Sequence, residues 1–311
     1  MPKAYVFTRY GGPETEALIE VDRPRPGPGE VLVAVRAAGV NPVDWKQRTG
    51  FRRPGEDGEQ TFPAVLGNEV AGVVEETGEG VTGFAPGDEV FGTAVAGGYA
   101  EYALLAGDIT ARKPAGLSFT DAAALPVAAA TAYDGVRQLG LPAGATLLIT
   151  GAGGGVGVAA TQIARAEGLR VIGVASESKK DSVEALDAVH VPSGPGWAER
   201  ARAAAAPDGV DAVYDLVGGE VLTEAAGLLT DRARLITAGA TEDAVRALGG
   251  ARVVRARTAA VLDAVADLVL RGVLDPLVTR TYPLEQAGSA LREVEDGHAR
   301  GKVVIEVGAD A

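Results

Sequence analysis

The chain has 311 residues, 42 acidic against 29 basic side chains, a formal net charge of −13 at pH 7 and no cysteine. That length accommodates two domains at roughly 100–200 residues each, the acidic balance disfavours nucleic acid and anionic membrane surfaces, and the lack of cysteine excludes disulfides, thiolate metal sites and a thiol nucleophile. No signal-peptide-like N-terminus and no run of about 18 apolar residues is present, so the expectation is a cytoplasmic protein that acts on a small molecule.

From Lys3 to Pro114 short apolar or alternating runs (AYVFT, EVLVAVRAAGV, EVAGVVEE, GDEVFGT, YAEYALL) are cut by glycine and proline. This is the texture of a small, irregular β-barrel-like domain, with PGPGE at 26–30 and PGDEV at 86–90 as turns. One helix starts inside it at NPVDWKQRTG: Asn41 can cap, Pro42 suits the first helical position, and Asp44 lies near the positive end of the dipole. A charged loop, RRPGEDGEQ at 52–60, follows.

After Pro114 the texture becomes alanine-rich helix, with Ser118 and Asp121 spaced as a capping box, and the domain boundary is placed there. Strands and helices then alternate: LLIT, a glycine turn, a helix to Glu167, RVIGVA, a helix at 179–187, VHV, helices at 197–206 and 220–229 around DAVYDLV, and RLITAGA. Such alternation predicts a doubly wound parallel sheet with helices on both faces. From Thr258 a helix leads to a last strand, GKVVIEV, whose period-2 pattern predicts that it returns to the first domain.

The turn after LLIT carries the strongest chemical signal. Residues 152–157 read AGGGVG, so the fingerprint G-x-G-x-x-G stands as Ala152-x-Gly154-x-x-Gly157, with alanine in the first place. It follows a buried strand and opens a helix within a βαβ unit, the context that lets backbone N–H groups and a helix dipole hold a pyrophosphate. Gly153, Gly154, Gly155 and Val156 are the expected cofactor-facing residues, and Gly157 allows close helix–strand packing. The alternative is a βα turn without a nucleotide. An NAD-preferring turn has a carboxylate at the end of the second strand, about 20 residues on. That position is Ala175 or Ser176 here, followed by Lys179 and Lys180, which suits the 2′-phosphate of NADPH. Glu177 weighs against it, and Lys179 alone could be a solvated helix start.

With the βαβ unit in place, AAGVNPVDWKQRTG, FPAVLGNEVAGVV, PGDEVFG and LPVAAATAYDGV together resemble the medium-chain dehydrogenase/reductase superfamily, in its zinc-free branch of NADPH-dependent quinone oxidoreductases and enone reductases. The resemblance implies a GroES-like catalytic domain (1–114, with 258–311 returning to it), a Rossmann domain (115–257), and a cleft where nicotinamide meets substrate. Asn41 matches the first cysteine ligand of the zinc enzymes, and their Gly-His-Glu motif reads Gly67-Asn68-Glu69. With His190 and His298 as the only histidines, no zinc trio forms, and no metal is expected.

The implied reaction is hydride transfer from NADPH to a quinone or to the β-carbon of an α,β-unsaturated carbonyl. The alternatives are a reductase of enoyl thioesters, with Arg52 and Arg53 as the only hint, and a non-catalytic NADPH-binding protein. The resemblance makes Asn41 a neighbour of the nicotinamide and Lys46 a donor to the developing enolate; otherwise Asn41 is a helix cap, Asp44 a first-turn charge and Lys46 a solvated lysine. It also implies that Thr131, Val217, Ala238 and Gly239 line the cofactor and that Lys302 reaches it. The alternatives are a self-bonded helical threonine at 131 and a surface charge at 302. Relatives are often homodimers through an edge of the Rossmann sheet, for which RVVRAR at 252–257 is the candidate strand. A tyrosine common after the third Rossmann strand is absent, with Pro192 and Ser193 in its place.

Overall fold

The computed structural model describes residues 1–52, 59–297 and 299–308; Arg53, most of the charged loop and His298 lie outside the described residues. Contacts divide the chain into two units, Met1–Val127 with Arg257–Asp267 and Val278–Ala311, and Ala128–Ala256 with Leu268–Leu277. No helix among the described residues is long and apolar enough to cross a membrane.

The first unit begins with β1 (Lys3–Phe7), β2 (Glu16–Glu20), β3 (Glu30–Val40), α1 (Pro42–Arg48), β4 (Ala64–Val65), β5 (Glu69–Thr77), β6 (Glu89–Thr93), β7 (Tyr102–Ala106), β8 (Ala111–Arg112) and α2 (Phe119–Ala123). Strand β1 pairs with β2 and β4, and β3 is the antiparallel partner of β5 and β7. The alternating runs bury one face of these strands, so that Val31, Val33, Val70 and Leu105 share a core with Leu291, Val303 and Ile305 from the far end of the chain. Ser118 caps α2 by accepting from the Asp121 N–H at 3.0 Å. Residues 115–127 lie with this unit, although their alanine-rich composition reads as the start of the second domain. The reason is that Ala122 and Ala123 are fully buried as α2 packs on β3 and β5.

The second unit contains α3 (Ala130–Leu139), β9 (Thr146–Thr150), α4 (Gly155–Ala166), β10 (Arg170–Ala175), α5 (Lys180–Glu184), β11 (Val189–Pro192), α6 (Trp197–Ala205), β12 (Ala212–Asp215), α7 (Gly219–Ala226), β13 (Leu235–Thr237), α8 (Glu242–Ala247) and β14 (Ala251–Arg252). Its six strands are parallel in the order β11-β10-β9-β12-β13-β14. The continuous apolar runs follow from burial on both faces: every residue of β9 is buried. Strand order reverses between β10-β9 and β9-β12, so the loop after β9 leaves the sheet at its topological switch point.

The strand expected over 252–257 is cut to Ala251–Arg252. Side chains of α3 take the backbone donors that a longer strand would need: Gln138 Oε1 accepts from Val254 N–H (2.8 Å) and Asp134 Oδ2 from Ala256 N–H (3.0 Å). After α9 (Ala259–Leu270) come β15 (Val278–Pro283), α10 (Ala287–Glu295) and β16 (Lys302–Glu306). The last strand does return to the first unit, pairing antiparallel with β3 so that Val303 faces Val40.

Candidate functional site

Two constellations carry chemistry, one in each unit. In the second unit the glycine turn leaves β9 through Gly151, whose φ of +71° favours glycine. Gly154 precedes α4, and no side chain caps that twelve-residue helix. Its first-turn N–H groups, at Gly155, Val156 and Gly157, have no acceptor within the helix, which is the chemistry that holds a pyrophosphate. A Cβ on Gly157 would lie 2.4 Å from the Gly151 carbonyl oxygen, so this residue lets the helix start pack against the turn. A Cβ on Gly153 would lie 2.5 Å from Cδ of Lys179, whose aliphatic stem crosses the turn. Lys180, half exposed, stands 4.0 Å from Glu184, and the Ser176 and Ser178 hydroxyls are 3.1 Å apart. Of the residues after β10, the fold therefore brings Lys179 against the glycines and leaves Ser176 and Lys180 on the surface beside it.

The neighbouring strand ends are tied by Asp215, a residue the sequence reading missed. Fully buried, it accepts from the hydroxyls of Thr150 and Thr237, both at 2.6 Å, and from the N–H groups of Val217 and Gly218. The signal was a polar residue closing each of three adjacent apolar runs, LLIT, VYD and LIT. The loops beyond meet backbone to backbone: a Cβ on Gly239 would sit 2.6 Å from the Val217 nitrogen, and one on Gly151 3.3 Å from a Val217 methyl. Val217, Ala238 and Gly239 thus gather beside the glycine turn, with Val217 half exposed. Thr131 is buried on α3, and its hydroxyl accepts from Arg255, which also pairs with Asp134 at 3.2 Å. Arg255 and Asp134 were likewise missed, because their pairing spans 121 residues.

In the first unit, Asn41, Glu69 and Lys302 form a closed, buried triangle. Lys302 Nζ donates to Glu69 Oε1 (2.7 Å), Asn41 Oδ1 (2.8 Å) and the Val40 carbonyl (3.0 Å), while Asn41 Nδ2 donates to Glu69 Oε1 (2.7 Å). The second carboxylate oxygen accepts from Val127 N–H at 2.7 Å, within the π-helical stretch Leu125–Ala129 that contains Pro126. Gly39 faces Glu69 across the ladder, and a Cβ there would lie 2.2 Å from the carboxylate; its bare Cα makes the room. Lys302 is therefore not a surface charge, and its three N–H bonds are all spent inside this unit.

Asp44 is the hub of a second cluster next to the triangle. It is fully buried and accepts from Asn41 N–H (2.8 Å), the Tyr99 hydroxyl (2.6 Å) and the Asn68 amide, which also donates to Gln47 at 3.0 Å. Burial pushes its carboxyl from 3.8 up to about 6, against the pull of the hydrogen bonds from Tyr99, Asn68 and Asn41. Burial and the adjacent Asp44 carboxylate hold the Tyr99 phenol well above its usual range. Asn41 is the N-cap residue of α1 and forms a capping box with Asp44, while its side-chain amide is engaged by Lys302 and Glu69; Asp44 stands in the first turn as expected, and the fold buries it completely. Lys46 is exposed in the last turn of α1, its ammonium 5.6 Å from the centre of the Trp45 ring.

Comparison with known proteins places these constellations in a family context. Residues 27–115 match the alcohol dehydrogenase GroES-like domain and residues 186–305 the zinc-binding dehydrogenase family. The chain is 32% identical over 320 residues to the quinone oxidoreductase of Sus scrofa, covering 96% of this chain and 95% of that one. It is 39% identical over 294 residues to the spectinabilin polyketide synthase system protein NorB of Streptomyces orinoci, covering 89% of this chain but spanning only 13% of that much longer protein. The quinone oxidoreductase of Coxiella burnetii superposes with a TM-score of 0.90 at 30% identity over 98% of this chain and 99% of that one. The residues present do not fit the zinc that the second family's description implies. Asn41 and Asn68 offer amides, Glu69 has both oxygens taken by Lys302, Asn41 and Val127, and no group of three His, Cys, Asp or Glu side chains positioned for a metal occurs among the described residues.

Proposed function

The chain belongs to the medium-chain dehydrogenase/reductase superfamily, in its quinone oxidoreductase branch, and from that membership we propose that this oxidoreductase is a metal-free, NADPH-dependent reductase of quinones or α,β-unsaturated carbonyls. The observation that carries the proposal is the uncapped N-terminus of α4 after a glycine turn crossed by Lys179, a fit for a dinucleotide pyrophosphate. NADPH is favoured over NADH because β10 ends on Ala175 with Ser176 after it rather than on a carboxylate, and Lys179 and Lys180 follow Glu177 and Ser178.

A bound nicotinamide supplies the hydride. The chain's own part is to hold that dinucleotide through Gly153, Gly154, Gly155 and Val156, with Val217, Ala238, Gly239 and Thr131 lining it. Negative charge gathers on the substrate oxygen as the β-carbon or quinone ring is reduced, and Asn41 and Lys46 are the donors that meet it. The likeness to the polyketide synthase system protein favours a second reading in which the enone is an enoyl thioester.

The test is NADPH oxidation with a panel of small quinones, enones and a crotonyl thioester, run with and without a strong chelator. Turnover that is indifferent to chelator supports the proposal, and the preferred acceptor separates the two readings. Loss of turnover on chelation would refute it, as would tight NADPH binding with no turnover of any acceptor.

A further inference from the structure

We infer that Lys302 and Glu69 are positioning residues for Asn41: together they fix its side-chain amide so that one N–H is left to donate to the substrate oxygen. The inference rests on the reading of Asn41 as a group that meets the reacting atoms. It begins from a chemical asymmetry. A primary amide has two nearly isosteric ends, one an acceptor and one a double donor, and rotation by a half turn exchanges them. At Asn41 that exchange is blocked on both sides. The oxygen lies 2.8 Å from an ammonium, which can only donate, and the nitrogen 2.7 Å from a carboxylate, which can only accept. Turning the amide over would set NH2 against NH3⁺ and C=O against COO⁻ in a site where Asn41 is 4%, Glu69 0% and Lys302 3% exposed, and where water cannot relieve either clash.

The hydrogen-bond inventory of the triangle then closes with one donor left over. All three N–H bonds of Lys302 are used, and both oxygens of Glu69 are occupied. Asn41 Nδ2 carries two N–H bonds and spends one on Glu69; the second has no acceptor among the described residues. The ammonium on Oδ1 also polarises the amide and strengthens that remaining donor. Since the ammonium and carboxylate cancel, the donor is delivered without net charge. This assigns Lys302 a task different from reaching the cofactor: its donors are saturated, and touching a phosphate would require breaking the triangle.

The experiment is a mutant cycle on the full chain with NADPH and whichever small quinone or enone the wild type reduces. The pair variant Lys302→Met/Glu69→Gln removes both buried charges at once, and is prepared with Asn41 and with Asn41→Ala. We expect Asn41→Ala to lower kcat about 100-fold, the loss typical of one removed oxyanion donor. The pair variant should lower kcat at least about tenfold while NADPH affinity stays within about twofold, and in the Asn41→Ala background it should cost no more than about twofold, the margin of independent sites. Lys302→Arg keeps the buried ion pair and so serves if the pair variant does not fold. It re-aims the donors, and should reduce kcat only when Asn41 is present. Equal losses with and without Asn41 would overturn the inference, as would wild-type kcat in the pair variant or a selective loss of NADPH affinity, which would put Lys302 on the cofactor. A wild-type kcat in Asn41→Ala alone would instead sink the reading of Asn41 on which the inference stands.

Discussion

Replacing Tyr99 by Phe tests whether Asp44 is an ionised hub inside the first unit. The hydroxyl is fully buried and donates to Asp44 Oδ2 at 2.6 Å, while its ring fills the space that Gly67 leaves open, where a Cβ would lie 2.3 Å from the ring. The substitution therefore keeps the packing and deletes one donor. Asp44 titrates at about 6 in the folded protein against 3.8 for an unburied carboxyl, an interval worth ~3 kcal/mol. Because the folded state holds its proton more tightly, the chain loses that stability as pH rises from 3.8 through about 6. A hydrogen bond to a charged acceptor contributes ~1.5–3 kcal/mol and one to a neutral acceptor ~1, so Tyr99→Phe should cost ~2 kcal/mol at pH 8 and ~1 kcal/mol at pH 5. Urea unfolding followed by Trp45 fluorescence in a Trp197→Phe background reads the first unit, since Trp197 belongs to the second. Equal losses at the two pH values, or a larger loss at pH 5, would refute an ionised Asp44 bonded to Tyr99.

Two further outcomes follow from the same geometry. Alanine at both Lys179 and Lys180 should weaken NADPH by about tenfold or more, ~1.4 kcal/mol, and NADH far less, as measured by calorimetric titration; equal losses would remove the 2′-phosphate argument. Arg48 is 1% exposed and bonds to Glu16, to Glu295 at 2.7 Å and to the Gly11 carbonyl at 3.2 Å. Arg48→Met leaves the buried Glu16 carboxylate with only the Tyr5 hydroxyl at 2.8 Å and the longer Arg292 contact at 3.8 Å, and should cost ~3 kcal/mol in unfolding experiments, much of it recovered by adding Glu16→Gln; a loss below ~1 kcal/mol would show that the cluster is hydrated in solution.

What could be read from the chain alone was local. Apolar period and punctuation separated a β-rich first part from a strand–helix series, because pleat and helix repeats are properties of neighbouring residues. The glycine turn was legible for the same reason: the missing Cβ atoms at Gly153 and Gly157 are facts of composition, and the strand before and helix after them give their use. Replacement of cysteine and histidine by Asn41 and Asn68 spoke against zinc from ligand chemistry alone. Only the tertiary structure decided the partners of the buried polar groups. Asn41 reads as a cap or a neighbour of the nicotinamide, and Lys302 as a surface charge or a lysine that reaches the cofactor; that the two meet is decided by a strand 261 residues away, which brings ammonium and amide to 2.8 Å. Arg48 and Arg255 gave no signal, and the burial of Asp44 and Asp215 was not legible, because it is conferred by segments far along the chain. Desolvation makes those partners obligatory, and it exists only once the fold has excluded water.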